Sequence, residues 1–356
     1  MLNIANQFML NSPAISIEPL GNGHINQTFL IACEDGSKYT FQKVNNNIFK
    51  DVPALMENIR LVTEMLRASD PDPRHSLELV KTLSDQKVYY HDESGYYRMY
   101  RFIDKSLCLE RAGSEKEFYL SAVAFGSFQN KLSDFDASKL SETIPLFHHT
   151  PNRVKNLVKA AEEDKMGRLA SVKKEYDFAM ARAEEAGVML KMLDEGKIKL
   201  RVTHNDTKLN NVLFDEETRT PICVIDLDTI MPGLAANDFG DSIRFGASTA
   251  AEDETDLDKV TVSLDLFRAY TKGFLEACGK KLTEDEIQTL PMGAKLMTYE
   301  CGIRFLTDYL EGDVYFRVHR ENHNLDRCRT QLKLVYDMEC KWDQLQKIVN
   351  EEAAKI

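Results

Sequence analysis

The chain has 356 residues, 43% apolar and 29% charged, with a formal net charge of −12 at neutral pH. That length can bury a large core and is expected to form two lobes, while the acidic balance excludes non-specific binding to nucleic acid or an anionic membrane. No apolar run is long enough to span a bilayer, the N-terminus lacks a signal-peptide pattern, and the seven cysteines are scattered without a C-x-x-C pair; a reducing cytoplasm is the simplest setting.

Residues 2–10 read as a short helix and 14–20 as a strand. The turn Gly21-Asn22-Gly23-His24-Ile25-Asn26 follows, then strands over 28–32 and 38–44 joined at Asp35-Gly36-Ser37. Glycines between two strands let backbone N–H groups approach phosphates closely, although an ordinary tight hairpin explains the same pattern. Lys43, on the third strand, stands where kinases keep the lysine for the α/β phosphates; a solvated strand lysine is the alternative. Residues 52–68 form an amphipathic helix with Leu55, Ile59, Val62 and Leu66 on one face. Glu57 and Glu64 on that helix are both open as the partner of Lys43. After a Pro- and Asp-rich break at 69–75, strands are expected over 77–83, 87–91 and 96–102. Residues 100–104 read as a hinge where adenine would lie against Phe102 and Ile103, dividing a nucleotide lobe (1–103) from a helical lobe (104–356).

Beyond Gly113 the chain is mainly helical, with helices over 118–132, 151–162 and 175–193. Three short strands interrupt them: 198–202, 212–214 and 222–227. Between and beside these strands lie His204, Asp206, Asn211 and Asp226. Phosphoryl transfer needs positioning and charge neutralisation rather than covalent help. One carboxylate must take the acceptor's proton; another carboxylate and an amide oxygen must hold Mg²⁺, which favours hard oxygen ligands. The spacing from Asp206 to Asn211 matches the H-R-D-x-x-x-x-N loop with Asn205 in place of Arg, and Asp226 opens a D-L-D triplet where D-F-G would lie. Each residue alone could be a turn former or strand cap; the joint spacing points to a kinase with Asp206 as base and Asn211 and Asp226 as metal ligands.

A helix is expected to begin near Ser242, preceded by Asp238, which looks structural, with Asp241 the better acceptor contact. Helices over 257–278, 284–310 and 324–349 complete the chain. Arg304 lies among apolar neighbours and must find a partner, either a structural acid (Asp238 or Glu300) or a ligand. Tyr315, between two helices, is equally open.

The segments H-N-D-T-K-L-N-N-V-L and V-I-D-L-D resemble the aminoglycoside phosphotransferase/choline kinase group of small-molecule kinases. Within it, G-N-G-H-I-N-Q-T-F, I-D-L-D-T-I-M-P-G, F-G-D-S-I-R-F-G-A-S-T-A and R-F-L-T-D-Y-L-E-G-D-V-Y-F look like the N-acetylhexosamine 1-kinases, over almost the whole chain. The resemblance implies a bilobal α+β, protein-kinase-like fold. It also implies ATP- and Mg²⁺-dependent phosphorylation of N-acetylglucosamine or N-acetylgalactosamine at the anomeric hydroxyl. His24, Asp241, Arg304 and Tyr315 fall in segments such an enzyme would use around the sugar. The motif F-Q-K-V departs from V-A-I-K, so the role of Lys43 rests on its strand position alone. Within kinases the rival acceptors are an aminoglycoside, choline or homoserine; outside them, the rival is a catalytically inactive binding module.

Overall fold

Alternation of apolar and polar residues builds the N-terminal sheet. The computed structural model describes residues 1–21 and 25–356. Strands β1 (Ala14–Pro19), β2 (Gln27–Cys33), β3 (Lys38–Val44), β4 (Tyr90–Asp92) and β5 (Gly95–Arg101) form one antiparallel sheet in the order β1-β2-β3-β5-β4. On β3, Tyr39 and Phe41 are buried in an outer core with Phe8, Ile31, Tyr97 and Met99. The short helix α1 (Leu2–Ala5) closes that core through Ala5. The strand period of two then puts Lys43 on the same outer face, in register with Tyr97. Gln42 faces the other way, with its cross-strand partners Thr28 and Arg98.

Helix α2 (Val52–Ser69) is capped by Asp51, whose carboxylate accepts from Ala54 N at 3.0 Å. Its buried stripe packs Leu55, Ile59, Val62 and Leu66 against Val44 and Tyr100, and against Leu227 and Ile230 of the second lobe. The strands expected over 77–83 and 87–91 are mostly absent. Residues 77–83 make isolated bridges, Leu79 to Tyr100 and Thr82 to Phe8, and only Tyr90–Asp92 pairs with β5. A side-chain turn joins the two segments: Thr82 Oγ1 donates to Asp85 at 2.7 Å and accepts from Lys87 N at 3.1 Å, beside the backbone bond from Thr82 N to Lys87 O at 2.8 Å.

The chain leaves the sheet at Arg101, and strand β6 (Ser106–Cys108) already pairs with the second lobe. That lobe is mainly helical: α3 (Glu115–Lys131), α4 (Thr150–Glu163), α5 (Lys173–Met180), α6 (Val188–Asp194), α7 (Ala235–Gly246), α8 (Leu264–Cys278), α9 (Glu284–Gln288), α10 (Leu290–Glu311), α11 (His323–Cys340) and α12 (Trp342–Ala353). The expected helix over 175–193 breaks between α5 and α6 at a turn over 181–184, followed by a 3-10 turn Glu185–Gly187 that runs into α6. The one expected over 284–310 breaks at Pro291, which opens α10. Helix α8 starts late, where Ser263 caps it, and α7 starts seven residues before Ser242.

The three short strands are present as β7 (Arg201–Thr203), β8 (Val212–Asp215) and β9 (Pro221–Val224). Strand β7 pairs with β10 (Met231–Gly233), while β8 lies between β6 and β9. Helix α7 crosses α10 at Gly240 and Gly293, where a Cβ on Gly240 would sit 2.3 Å from the Gly293 carbonyl oxygen. That close crossing seats Asp238 and Asp241 directly under the segment between β7 and β8. The architecture is the bilobal, protein-kinase-like one, with a small antiparallel sheet lobe and a larger helical lobe.

Candidate active site

Asp238, buried at the start of α7, shapes the loop after β7. Its oxygens accept the backbone N–H groups of His204 (2.9 Å) and Asn205 (2.8 Å) and the Gln129 amide (2.6 Å). Asn205 takes a left-handed φ of 64°, and its Nδ2 donates to Thr229 O at 2.8 Å. His204 is buried, edge-on to Phe125 and Phe128, with Nε2 2.8 Å from Ile225 O. This histidine therefore serves the loop and not the reaction: it fastens the loop to the segment that carries Asp226.

Asp206 lies at the loop's apex. Its Oδ1 is 2.7 Å from Lys208 Nζ, and its Oδ2 accepts from Asn211 Nδ2 at 3.0 Å. Burial alone would raise this carboxyl; Lys208 outweighs it and holds Asp206 below the usual carboxylate range. Burial likewise disfavours the Lys208 charge, but Asp206 and then Asp241 raise its pKa to about 12. The pair stays ionised at neutral pH.

Asp226 has φ 60° and ψ 56°, a left-handed conformation that Asp tolerates better than most residues. Its residue surface opens to the cleft, yet the protein enclosing the carboxyl, followed by the Asp228 and Asp206 charges, pushes its pKa up to about 6. Among the described residues Asp226 has no ion-pair partner, and no group of three His, Cys, Asp or Glu side chains could hold a metal ion by itself. Asn211 spends its Nδ2 on Asp206, and its Oδ1 has no hydrogen-bond donor among the described residues. An unneutralised carboxylate with a free amide oxygen is a fitting protein share of an Mg²⁺ site, because Mg²⁺ keeps waters and phosphate oxygens as its other ligands.

The nucleotide side corrects part of the sequence reading. Lys43 does not face the catalytic loop: its Nζ lies 5.8 Å from the Tyr97 ring centroid and its Cε beside Gly95, on the outer face. Glu57 and Glu64 do not face it either; both bind Arg60 on the exposed side of α2, at 2.7 and 2.6 Å. Gly21 has φ 70°, as a glycine turn needs, and Gly23 and His24 lie outside the described residues. Phe102 and Ile103 occupy the link between β5 and β6, with Phe102 N donating to Lys38 O at 3.1 Å.

On the acceptor side, Asp241 Oδ2 accepts from Thr207 N and Oδ1 from Arg244 Nε, each at 3.0 Å, so this acid supports the loop as well as bordering it. His148 bridges Asn205 O (3.2 Å) and Glu300 Oε1 (3.0 Å). One turn further along α10, Arg304 pairs with neither Asp238 nor Glu300. Its guanidinium lies over the rings of Tyr315 and Phe316, 5.8 and 5.4 Å from their centroids. Asp308 moulds that corner by accepting the N–H groups of Val314, Tyr315 and Phe316, and Tyr315 is 70% exposed. Arg153, nearby, gives Nη2 to Phe147 O and leaves its buried Nε without a partner. Burial, and then the charge of Arg304, lower its pKa.

Sequence reasoning missed Lys208, Asp228, Arg98, His148 and Arg153. Lys208 and Asp228 stood inside the quoted motifs, in N-D-T-K and D-L-D. The orientation of Lys43 was legible from the apolar residues at positions 39 and 41. Nothing local marked His148 or Arg153.

An ionised carboxylate in a loop of kinase spacing, with a second carboxylate beyond it that has no ion-pair partner among the described residues and two lobes around both, is the arrangement of a phosphoryl-transfer enzyme. The model of the phosphotransferase enzyme family matches residues 16–271, and the chain belongs to that family. Among solved structures, it is similar to an aminoglycoside phosphotransferase from Alicyclobacillus acidocaldarius, with 13% identity and a TM-score of 0.63 over 99% of this chain and 96% of that one. It is also similar to a microcompartment-associated aminopropanol kinase (14% identity, TM-score 0.59, 97% of each chain). A choline kinase from Cryptosporidium parvum matches at 14% identity and a TM-score of 0.56, over 95% of this chain and 93% of that one. At such identities these likenesses concern the fold.

Proposed function

We propose that the protein transfers the γ-phosphoryl group of ATP to a small neutral acceptor, an N-acetylhexosamine (GlcNAc or GalNAc), at its anomeric hydroxyl. ATP lies between the lobes, adenine against Phe102 and Ile103 and phosphates under the turn that begins at Gly21. Asp206 accepts a hydrogen bond from the attacking hydroxyl, aligns it in line with the phosphoryl group and takes its proton. Lys208 keeps that base ionised. Asn211 and Asp226 would hold Mg²⁺, which when bound supplies charge neutralisation at the phosphate oxygens.

The observation that carries the acceptor choice is the pair Arg153 and Arg304, neither with a carboxylate partner among the described residues, beside the exposed Tyr315 ring. Arginines without counter-ions repel an ammonium group and donate hydrogen bonds to hydroxyl and amide oxygens. A face of Tyr315 suits the apolar face of a sugar ring. The quoted segments that look like N-acetylhexosamine 1-kinases support the same acceptor.

A second reading is an amino alcohol or aminoglycoside acceptor, in line with the acceptors that the similar solved structures are named for and with the overall acidic charge. It is disfavoured locally because Asp241 and Glu300 already bind Arg244 and His148. The test is an acceptor panel with labelled ATP, followed by phosphorus NMR of the product. Turnover of GlcNAc or GalNAc to a 1-phosphate supports the proposal. Turnover of choline, aminopropanol or an aminoglycoside alone overturns the acceptor choice, and ATP binding without turnover of any acceptor favours a binding module.

A further inference from the structure

With Lys43 on the outer face, the buried cation that the sheet presents toward the second lobe is Arg98, on β5. It is 1% exposed. Its Nη1 is ion-paired with Asp228 Oδ1, its Nε donates to Gln42 Oε1 at 2.8 Å, and its guanidinium lies 5.4 Å from the Tyr100 ring centroid. Asp228, 3% exposed, gives its other oxygen to Asn26 Nδ2, and Asn26 Oδ1 accepts from Asn45 N at 2.9 Å. Two places in the sheet lobe therefore meet on one carboxylate of the helical lobe, Asn26 just before β2 and Arg98 on β5, and Asn45 after β3 joins them through Asn26. That carboxylate lies two residues beyond Asp226.

Stability alone is a poor reason for such a group. A buried ion pair gains little over well-packed apolar residues of the same volume, because desolvation cancels most of the attraction. What a buried, fully bonded pair does supply is a single geometry. Each oxygen of Asp228 accepts from a buried protein donor and the residue is 3% exposed, so it is far less open to a metal ion than Asp226. Asp226 has no such partners.

We propose that Arg98, Asp228 and Asn26 form an inter-lobe latch that sets β5 and the start of β2 against the Asp226 loop. Asp228 is then a positioning residue and not a second metal ligand. Arg98 takes over, from β5, the bracing of the sheet lobe that a β3 lysine paired with a glutamate on the following helix would otherwise give. The kinetic part of this inference rests on the phosphoryl-transfer reading but not on the identity of the acceptor.

The test is a double-mutant cycle of Arg98→Met and Asp228→Asn on the full chain. Denaturant unfolding without ligands reads the latch directly: each single variant leaves a buried group uncompensated, and the double variant recovers much of the loss. Additive losses would overturn the latch. In the folded double variant, KM for ATP rises about tenfold while KM for the acceptor stays within about twofold, as expected when an interaction serving one substrate is removed. A purely structural pair would lower the active fraction and leave both KM values unchanged, and that result would overturn the proposal. The Mg²⁺ concentration for half-maximal rate should stay at the wild-type value in the double variant and rise in Asp226→Asn. An equal rise in both would make Asp228 a metal ligand and end the positioning assignment. Calorimetric binding of a non-hydrolysable ATP analogue to the wild type tests the kinase reading separately, and the ligand-free cycle decides the latch whatever that result.

Discussion

Lys208 Nζ stands 2.7 Å from Asp206 Oδ1, two residues along the same loop. A partner so near could hide a base, but Asp206 Oδ2 remains for the acceptor and is oriented by Asn211. The lysine's charge keeps the carboxylate deprotonated as burial works against it.

Asp206→Asn retains shape and loses basicity. We expect kcat to fall by about 10²–10⁴-fold, the usual worth of a general base, with ATP-analogue binding near the wild-type value. A coupled assay and calorimetry on the same preparation check both; near-normal turnover would remove Asp206 from its role.

Asp226→Asn removes the carboxylate that has no ion-pair partner in the cleft. The expected result is a higher Mg²⁺ requirement and weaker use of Mg·ATP, with a melting temperature at neutral pH no lower than the wild type's, since burial and the Asp228 and Asp206 charges disfavour the carboxylate that is removed. Titration of activity with Mg²⁺ at saturating acceptor measures it, and an unaltered curve would contradict the ligand assignment.

Lys43→Met is expected to change KM for ATP by no more than about twofold, as surface substitutions away from a site do. Its ammonium sits against Tyr97 and Gly95 on the outer face. A large loss of ATP affinity would show that the lysine reaches the phosphates after all.

Arg304→Ala should raise KM for the acceptor by roughly 10–100-fold, the cost of a hydrogen bond from a charged donor, and leave KM for ATP alone. If the substitution instead improves turnover of amino alcohols and leaves N-acetylhexosamine kinetics intact, Arg304 repels cations without touching the sugar.

His148 and Glu300 form a buried ion pair, and their pKa values move apart. Burial opposes the imidazolium, but Glu300 outweighs it and raises His148 above its ordinary 6.5. Burial also disfavours the Glu300 carboxylate, and His148 holds it below 4.5. The raised histidine contributes stability that is full below 6.5 and is lost as pH rises through its folded value. The lowered glutamate contributes stability that is present above 4.5 and is lost as pH falls through its folded value. The wild type should therefore exceed Glu300→Gln by about 1–3 kcal/mol between pH 4.5 and 6.5, with a smaller margin at alkaline pH. Chemical unfolding of both proteins across that range checks the sign; a margin that grows with pH would refute the pairing.

Sequence patterns carried far where a side chain's task is local. The amphipathic stripe of α2, the caps at Asp51 and Ser263, and the spacing of Asp206 to Asn211 are all set within one or two turns of chain, and all were readable. The role read for Asp238 under the catalytic loop matched its contacts with His204 and Asn205. The role read for Lys43 rested on its strand alone, and the period of that strand turns it to the outer face beside Tyr97 and Gly95. The long helix expected at 284–310 ignored a single breaker, Pro291, and the one expected at 175–193 is interrupted by a turn over 181–184 that no breaker residue marks.

The chain by itself determined that this is a kinase-like molecule, since the spacing of His204, Asp206, Asn211 and Asp226 around two short strands is local in sequence. Folding in three dimensions decided which charges meet. Arg98 and Asp228 are 130 residues apart, and His148 reaches Glu300 across 152. Pairing of that range is settled by how the lobes and helices pack, because a buried charge must find its partner wherever the fold brings one.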